Sequence, residues 1–204
     1  AANKRMLDNN FCCSPHAVPG LYVTLAFNFT GGSLLRWYRD NFAAAETAEA
    51  KASGRDVYDV LLSQAAKKPT NLFVLPHFTT SGTPHFDPDA TGAILGLRFD
   101  TGRAEIIRAI LEGVSLEMRL NIELLEEAGL SVDELHAIGG GARSGFWLQL
   151  KADVFGRPVT ALDISEATGL GAALIAGIAT GVYSTHEEAA TTTVKKRKDR
   201  KSVV

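Results

Sequence analysis

Three consecutive glycines, Gly139, Gly140 and Gly141, are the residues of this chain best suited to bind a ligand through the main chain. They follow a short apolar run at 135–138 and precede a predicted helix at 144–155. Glycine has no Cβ, so the backbone can turn sharply and a ligand can lie against it. A helix that begins there offers free N–H groups and the positive end of its dipole to an anion. The pattern therefore predicts a nucleotide-binding loop.

A second glycine turn, Gly31-Gly32-Ser33, lies between a predicted strand at 21–29 and a predicted helix at 34–42. Taken alone, it can be a plain connection between two elements. Two such turns in one α/β domain favour a nucleotide cleft. The kind of nucleotide stays open at this point. The dinucleotide fingerprint is incomplete because Ser144 holds its last glycine position, although Asp163 stands at a suitable distance for a ribose contact. A tight structural turn is the third alternative.

A polar loop at 78–84 is the candidate for contact with a substrate, because loops carry much of protein function. The hydroxyl groups of Thr79, Thr80 and Ser81 can donate and accept hydrogen bonds there. His77 and His85 flank the loop. Their spacing matches no usual metal pattern, so hydrogen-bonded loop histidines are favoured over a metal site.

The clearest helix is predicted at 103–128, where apolar residues recur at steps of three and four. Gly113 interrupts it and costs on the order of 1 kcal/mol relative to alanine. We therefore expect another backbone to approach Gly113 closely. Its neighbour Glu112 is a weak candidate for a catalytic base.

Strands alternate with helices along the chain, which indicates an α/β fold. Further helices are predicted at 56–67, with Asp56 as N-cap, and at 168–179, where small and apolar residues on all sides predict burial between layers. Further strands are predicted at 72–75 and 158–162. Residues 1–20 are predicted to be an irregular leading segment, and residues 43–54 a helix end and a loop.

The composition is that of an ordinary globular protein of one large or two small domains. The 204 residues are 46% hydrophobic and 22% charged, with a net charge of −2. This balance gives no signal for a membrane or nucleic-acid partner. Cys12 and Cys13 are adjacent and have no others to pair with, which suits a reducing compartment and predicts a cytoplasmic protein. The first residue is alanine, which favours a piece of a longer protein.

The carboxy terminus is strongly basic, with six lysines and arginines between residues 195 and 201. A solvated, disordered tail at 191–204 is the favoured interpretation, and a nucleic-acid contact is the alternative.

With these residues laid out, the chain resembles the carboxy-terminal domain of the FGGY carbohydrate kinases, the family of xylulokinase and glycerol kinase. The resemblance runs from about residue 10 to 190 and depends on four segments in the right order and spacing. They are Ser14-Pro-His-Ala-Val-Pro-Gly with Gly31-Gly-Ser-Leu-Leu-Arg-Trp-Tyr-Arg-Asp, then Gly92-Ala-Ile-Leu-Gly-Leu with residues 103–113, Gly139-Gly-Gly-Ala-Arg-Ser with Trp147, Ala152 and Asp153, and Glu166-Ala-Thr-Gly-Leu-Gly-Ala-Ala.

The resemblance implies the ribonuclease H-like fold of actin and hexokinase, with a mixed sheet flanked by helices. It implies ATP and Mg²⁺ as cofactors and a sugar or polyol as substrate. It also implies a partner, the amino-terminal domain of the same enzyme, which supplies the catalytic Asp in a Gly-Asp motif. Residues 21–190 would then be the nucleotide-binding domain and 1–20 the segment leading into it. A homodimer is left open.

The resemblance also assigns the site residues. The adenosine pocket should be lined by Gly140, Gly141, Ala142 and Gly145, and the phosphates should face Gly31, Gly32 and Ser33, with Leu34 nearby. No catalytic residue and no metal ligand is expected in this chain, which has no Gly-Asp dipeptide. Thr79-Thr-Ser-Gly-Thr differs from the Gly-Glu-Arg-Thr of many xylulokinases, which leaves the sugar open. A non-catalytic actin-like nucleotide-binding or assembly module is the alternative function.

Overall fold

The computed structural model describes residues 2–164 and 166–200, and they form two compact units. Residues 3–11 and 26–131 form one, called here the helical unit. Residues 2, 12–25 and 132–200 belong to the other, called here the sheet unit. Both contain helices and strands, and the α/β class predicted from the sequence is confirmed.

The helical unit is built around one long helix, α5. Its apolar stripe packs against the other helices and a short hairpin, and it contributes Ile107, Ile110 and Leu111 to the core. The elements of this unit are α1 (Lys4–Asp8), α2 (Ser33–Phe42), α3 (Ala44–Ser53), α4 (Val57–Gln64), β3 (Phe73–Leu75), β4 (Ala93–Leu95) and α5 (Arg103–Glu127). β3 and β4 pair antiparallel.

The interruption of α5 at Gly113 has the predicted cause. A Cβ at this position would overlap the main-chain oxygen of Val74 in β3. The glycine lets the hairpin lie directly on the helix, and α5 continues through it without a break. The helix propensity lost at Gly113 is offset by the close packing of β3.

The sheet unit holds a mixed three-stranded sheet in the order β5-β6-β7 and a separate antiparallel hairpin. β5 (Leu135–Ala137) and β6 (Val159–Leu162) are parallel, and α6 (Gly145–Phe155) connects them. This crossover places the three glycines at the carboxyl end of β5, where α/β folds bind ligands. The remaining elements are β1 (Cys12–Pro15), β2 (Tyr22–Leu25), α7 (Ala167–Ala179), α8 (His186–Thr193) and β7 (Lys196–Arg200).

The leading segment differs from the prediction, because it contains α1 and β1. The helix α1 is held by the end of α5: Asn3 Nδ2 donates to the carbonyl of Ala128 at 2.6 Å, and Arg5 donates to that of Glu127. These bonds satisfy carbonyls that a helix end leaves without partners. The predicted loop at 43–54 is also wrong, since α3 fills it with alanine and glutamate, which are good helix formers.

The tail differs from the prediction as well. Lys196–Arg200 forms β7 and pairs antiparallel with β6, and Lys196 Nζ contacts Glu134 Oε2 at 3.3 Å. Lysine-rich strands are common at sheet edges, because their side chains stay in water while the main chain pairs. The prediction of disorder therefore does not hold for 196–200, and residues 201–204 lie outside the described residues.

The predicted helix at 168–179 is present as α7, but the expectation of burial is wrong. None of its residues is buried, although it is apolar on all sides and packs on α8. The apolar composition of α7 predicted that other elements would cover it, but the described residues do not bury it. Elsewhere, no helix in 2–164 and 166–200 is both long and apolar enough to cross a membrane.

Candidate nucleotide and substrate site

The glycine turn of the helical unit forms the start of α2. Gly31 has a positive φ of 41° and donates its N–H to Asn28 Oδ1 at 2.9 Å. Gly32 is the N-cap, and no side chain caps the helix. The first turn carries no acidic residue. An anion would therefore meet a helix terminus that no protein carboxylate or hydroxyl occupies.

The residues of this turn differ in their exposure to solvent. Gly32 and Ser33 are exposed and Gly31 is half-buried, as a ligand contact requires. The side chain of Leu34 is fully buried in the core. Only the main chain of Leu34 can therefore lie near a ligand, which narrows its predicted role.

The structure brings the loop at 78–84 beside this glycine turn. Thr83 donates its N–H to the Phe27 carbonyl at 2.9 Å, and its hydroxyl accepts from the Phe27 N–H at 3.0 Å. The hydroxyls of Thr79 and Thr30 are 3.2 Å apart, and Thr30 directly precedes the turn. The loop predicted to contact substrate and the turn predicted to contact phosphates therefore share one surface of the helical unit.

Within the loop, the hydroxyls are not equally available. Ser81 is buried, and its Oγ accepts from the Asp87 N–H at 2.8 Å. Thr80 donates to the Asp87 carbonyl at 2.6 Å. Thr79 is exposed. Ser81 thus shapes the loop from inside, and Thr79 is the residue best placed to meet a substrate.

A buried polar cluster lies under the same loop. His77 Nδ1 and Glu117 Oε1 are 3.4 Å apart, and their side chains are only 12% and 8% exposed. His77 Nδ1, Glu117 Oε2 and Asn121 Oδ1 lack hydrogen-bond partners among the described residues. Burial raises the pKa of Glu117 to about 7 and lowers that of His77, with His85 adding to the latter shift. Glu117 is therefore the carboxylate of this region that titrates near neutral pH.

Glu112, the weak candidate for a base, has a structural role. Its carboxylate accepts from Arg108 Nε at 2.6 Å and from the Thr70 hydroxyl at 2.9 Å. Arg108 in turn donates to the carbonyls of Ala66 and Lys67. This network joins α5 to the end of α4, so Glu112 is already engaged on both oxygens.

The three glycines of the sheet unit are not equivalent. Gly139 has a positive φ of 72°, and Gly140 has open space around its missing Cβ. A Cβ at Gly141 would lie 3.3 Å from the Trp147 ring and 3.5 Å from Lys151 Nζ. Gly140 therefore leaves its main chain open to a ligand, whereas a Cβ at Gly141 would pack tightly against Trp147.

The rest of the loop leads into α6. Ala142 is buried, Ser144 caps the helix by accepting from the Trp147 N–H at 3.2 Å, and Gly145 is its first residue. The first turn of α6, like that of α2, has no acidic residue. The arrangement suits an anionic ligand.

The sequence of this chain matches a known protein family. A sequence model described as the FGGY family of carbohydrate kinases, C-terminal domain, matches residues 2–180. The chain belongs to this family. The resemblance in sequence motifs is thereby confirmed, and both glycine turns lie within the residues that the family model matches.

Curated FGGY relatives act on different substrates, according to their names. A xylulose kinase of Bacillus subtilis is 30% identical over 175 residues, which cover 86% of this chain and 34% of the relative. A glycerol kinase of Pseudothermotoga lettingae is 34% identical over 161 residues, which cover 78% of this chain and 31% of the relative. The chain thus spans about a third of the length of these relatives. Both are named as kinases.

A solved structure shows the same fold. The xylulose kinase of Rhodospirillum rubrum is 29% identical and superposes with a TM-score of 0.75, covering 94% of this chain and 38% of its own. The FGGY domain described here therefore has the actin and hexokinase type of ATPase fold, as the motifs predicted.

Sequence reasoning missed two functional candidates, Glu117 and Lys151. Both are charged residues that stand between apolar ones on a helix, Glu117 between Leu116 and Met118 and Lys151 between Leu150 and Ala152. Only the fold shows that they are buried. Groups of three or more His, Cys, Asp or Glu that could hold a metal ion are absent from the described residues.

Proposed function

We propose that this chain is the nucleotide-binding half of an ATP-dependent sugar or polyol kinase, which transfers the γ-phosphoryl group to a carbohydrate hydroxyl. One observation carries the proposal. Both glycine turns open a helix of ten or more residues whose first turn has no acidic side chain. Such helix starts attract the phosphates of a nucleotide, because the free N–H groups and the helix dipole are positive there and no acidic side chain in the first turn repels the phosphates.

The two turns take different parts of ATP in this proposal. Gly31, Gly32 and Ser33 offer main-chain N–H groups, and Ser33 a hydroxyl, to the phosphates. Gly140 and Gly141 let adenosine lie on the main chain, with Ala142 and Gly145 lining the same loop. The effect of Gly141 on the ligand is indirect, because the position that its Cβ would occupy lies beside Trp147 and Lys151. Leu34 contributes its main chain alone.

The chemistry needs groups from outside this chain. A general base must take the proton of the attacking hydroxyl, and the chain has no Gly-Asp motif to provide it. We assign the base to an Asp in the amino-terminal domain. Magnesium would neutralise charge on the transferred phosphoryl group. Mg²⁺ in such sites is held largely by substrate phosphates and water.

The substrate is a sugar or a polyol, and its identity depends on the loop at 78–84. The exposed hydroxyl of Thr79 lies beside the phosphate turn, where a transferred phosphoryl group must meet its acceptor. Main-chain donors at the turn would stabilise the developing charge. A cytoplasmic location and a homodimer remain predictions.

The test is a panel of ketoses, aldoses and polyols given with MgATP to the full-length protein that contains this chain. We expect one class of carbohydrate to release ADP at a steady rate. The 204-residue chain alone should release none, because removal of the base costs about 10²–10⁴-fold and the substrate site is incomplete. Nucleotide binding without carbohydrate-dependent ADP release by the full-length protein would instead support a non-catalytic module. Steady, sugar-dependent release by the chain alone would contradict the division of roles.

A further inference from the structure

Lys151 is a buried cation beside the glycine loop of the sheet unit. It lies in the second turn of α6, and only 9% of the residue is exposed. Its Nζ stands 4.4 Å from the centre of the Trp147 ring. The same atom is 3.5 Å from the position that a Cβ of Gly141 would occupy. The ammonium therefore lies next to the glycine loop.

Among the residues that the structure describes, no carboxylate pairs with this charge. None of the ion pairs or side-chain hydrogen bonds found in 2–164 and 166–200 involves Lys151 Nζ. Arg108 in the helical unit shows the usual solution: it is 11% exposed and pairs with Glu112 at 2.6 Å. A buried charge without a partner is costly, and burial lowers the pKa of Lys151. Trp147 compensates for part of that cost through its ring.

The position on α6 adds to the imbalance. Side chains of a helix point back toward its amino terminus, so the ammonium approaches the positive end of the helix dipole. Arg143 lies in the same loop, and the first turn of α6 holds no acidic residue. A cation is unfavourable at this end of a helix, whereas an anion is stabilised there. An anion bound at this end of α6 would therefore be stabilised by both the helix dipole and Lys151.

We propose that Lys151 is the counter-charge for the phosphate nearest the adenosine of a nucleotide bound on the loop at 139–145. The inference deepens the proposed function and depends on it. Gly141 leaves space next to the ammonium, since a Cβ there would lie 3.5 Å from Lys151 Nζ. Trp147 holds the ammonium in place before the ligand arrives.

The test compares adenosine, AMP and inorganic phosphate as ligands of the 204-residue chain at pH 7, by calorimetry. Wild type should bind AMP at least about tenfold more tightly than adenosine, because a charge-assisted hydrogen bond to phosphate contributes about a tenfold to hundredfold gain. Lys151→Met should abolish that difference and change adenosine affinity less than about twofold. Lys151→Arg should retain the preference for AMP. Lys196→Met removes an exposed charge of the same unit and should change neither.

Each other outcome has a definite meaning. Equal loss of adenosine and AMP affinity in Lys151→Met would show that Lys151 only supports Trp147, and would overturn the inference. An unchanged preference for AMP would also overturn it while leaving the proposed function intact. Inorganic phosphate that binds wild type as tightly as AMP would show a free-anion site instead. Failure of wild type to bind adenosine or AMP would contradict the proposed function itself, and the inference with it.

A fluorescence readout keeps the inference testable if Lys151→Met does not fold. Trp37 and Trp147 are the two tryptophans of the chain, so Trp37→Phe leaves Trp147 as the reporter. AMP should change its emission by drawing the ammonium away from the ring, and adenosine should change it much less. An identical response to both ligands would contradict a contact between Lys151 and phosphate.

Discussion

Glu117 on α5 is a buried carboxylate beside a histidine that is itself short of partners. The two side chains are 3.4 Å apart, and burial raises the pKa of Glu117 to about 7. Perturbed carboxylates of this kind are often found near functional sites, and this one lies under the loop that the proposed function assigns to substrate. A change in the charge of Glu117 would act on the loop through His77.

Replacing Glu117 by Gln should make the chain less sensitive to alkaline pH. The folded-state pKa of Glu117 is raised from 4.5 to about 7, so folding favours the protonated form. Its stabilising contribution is complete below about pH 4.5 and is lost as the pH rises through about 7. The shift of His77 has the opposite sign, but both proteins contain it. Urea unfolding should show Glu117→Gln more stable than wild type by about 1–2 kcal/mol at pH 8, and nearly equal to it at pH 4.5.

Glu127→Gln is the matched control, because Glu127 is exposed on the same helix. It should follow the wild-type stability at both pH values. A constant difference between Glu117→Gln and wild type across this range would mean that the carboxylate is not desolvated, contrary to the structure.

At the scale of elements, α5 and β3 pack closely where Gly113 meets Val74. Gly113→Ala should destabilise the chain by about 1–3 kcal/mol, because the new Cβ meets a main-chain oxygen that cannot rotate away. The gain in helix propensity, about 1 kcal/mol, is too small to reverse the sign. Gly171→Ala in α7 is the control, with open space around the glycine, and should be neutral or stabilising by up to about 1 kcal/mol. Thermal unfolding that shows Gly113→Ala as stable as Gly171→Ala would refute the close approach.

The loop at 78–84 should determine substrate choice through Thr79 rather than through Ser81. In the full-length enzyme, Thr79→Ala should change relative kcat/KM across sugars by up to about 1–3 kcal/mol for a substrate that uses the hydroxyl. The KM for ATP should change little. Ser81→Ala should instead lower stability, because its hydroxyl bonds the loop internally. If Thr79→Ala keeps the sugar ranking and mainly raises the KM for ATP, the loop belongs with the nucleotide.

The sequence predicted those elements whose stability comes from a regular pattern. α5 was recognised because its apolar residues recur on one face, and the start of α4 because Asp56 caps it. It did not predict β4, three residues of a strand inside a long loop, since a run that short has no measurable period. The burial of α7 was overestimated for a related reason. An apolar composition indicates that a helix is stabilised by burial, but it does not show that another element covers the helix.

The glycines of the candidate site could be predicted from the sequence, but its buried charged residues could not. Both glycine turns and the loop at 78–84 were visible in the sequence, since glycine and hydroxyl residues indicate their own local roles. The contact of Thr30 with Thr79, the burial of Ser81 and the isolation of Lys151 depend on residues distant in sequence. Such contacts are properties of packing and cannot be read from spacing.

At the scale of the whole molecule, the chain spans about a third of its curated relatives, 34% of the Bacillus subtilis xylulose kinase. We propose that this third of the enzyme binds the nucleotide, and that the rest of the enzyme supplies the general base and most contacts with the sugar. The account therefore requires that the chain alone recognise adenine nucleotide, weakly, without any carbohydrate.

Calorimetric titration of the 204-residue chain with ADP tests this claim most directly, with Gly140→Val and Gly102→Val as a matched pair. Both glycines lie at helix starts. A Cβ at Gly140 would meet nothing within 4 Å, and one at Gly102 would meet only Glu105 Oε2 at 3.8 Å, but only Gly140 belongs to the proposed site. We predict weak but saturable ADP binding to wild type and to Gly102→Val, and none to Gly140→Val, because its side chain would fill the space where adenosine meets the main chain. ADP affinity unchanged in Gly140→Val, or NADH bound more tightly than ADP by wild type, would contradict the account.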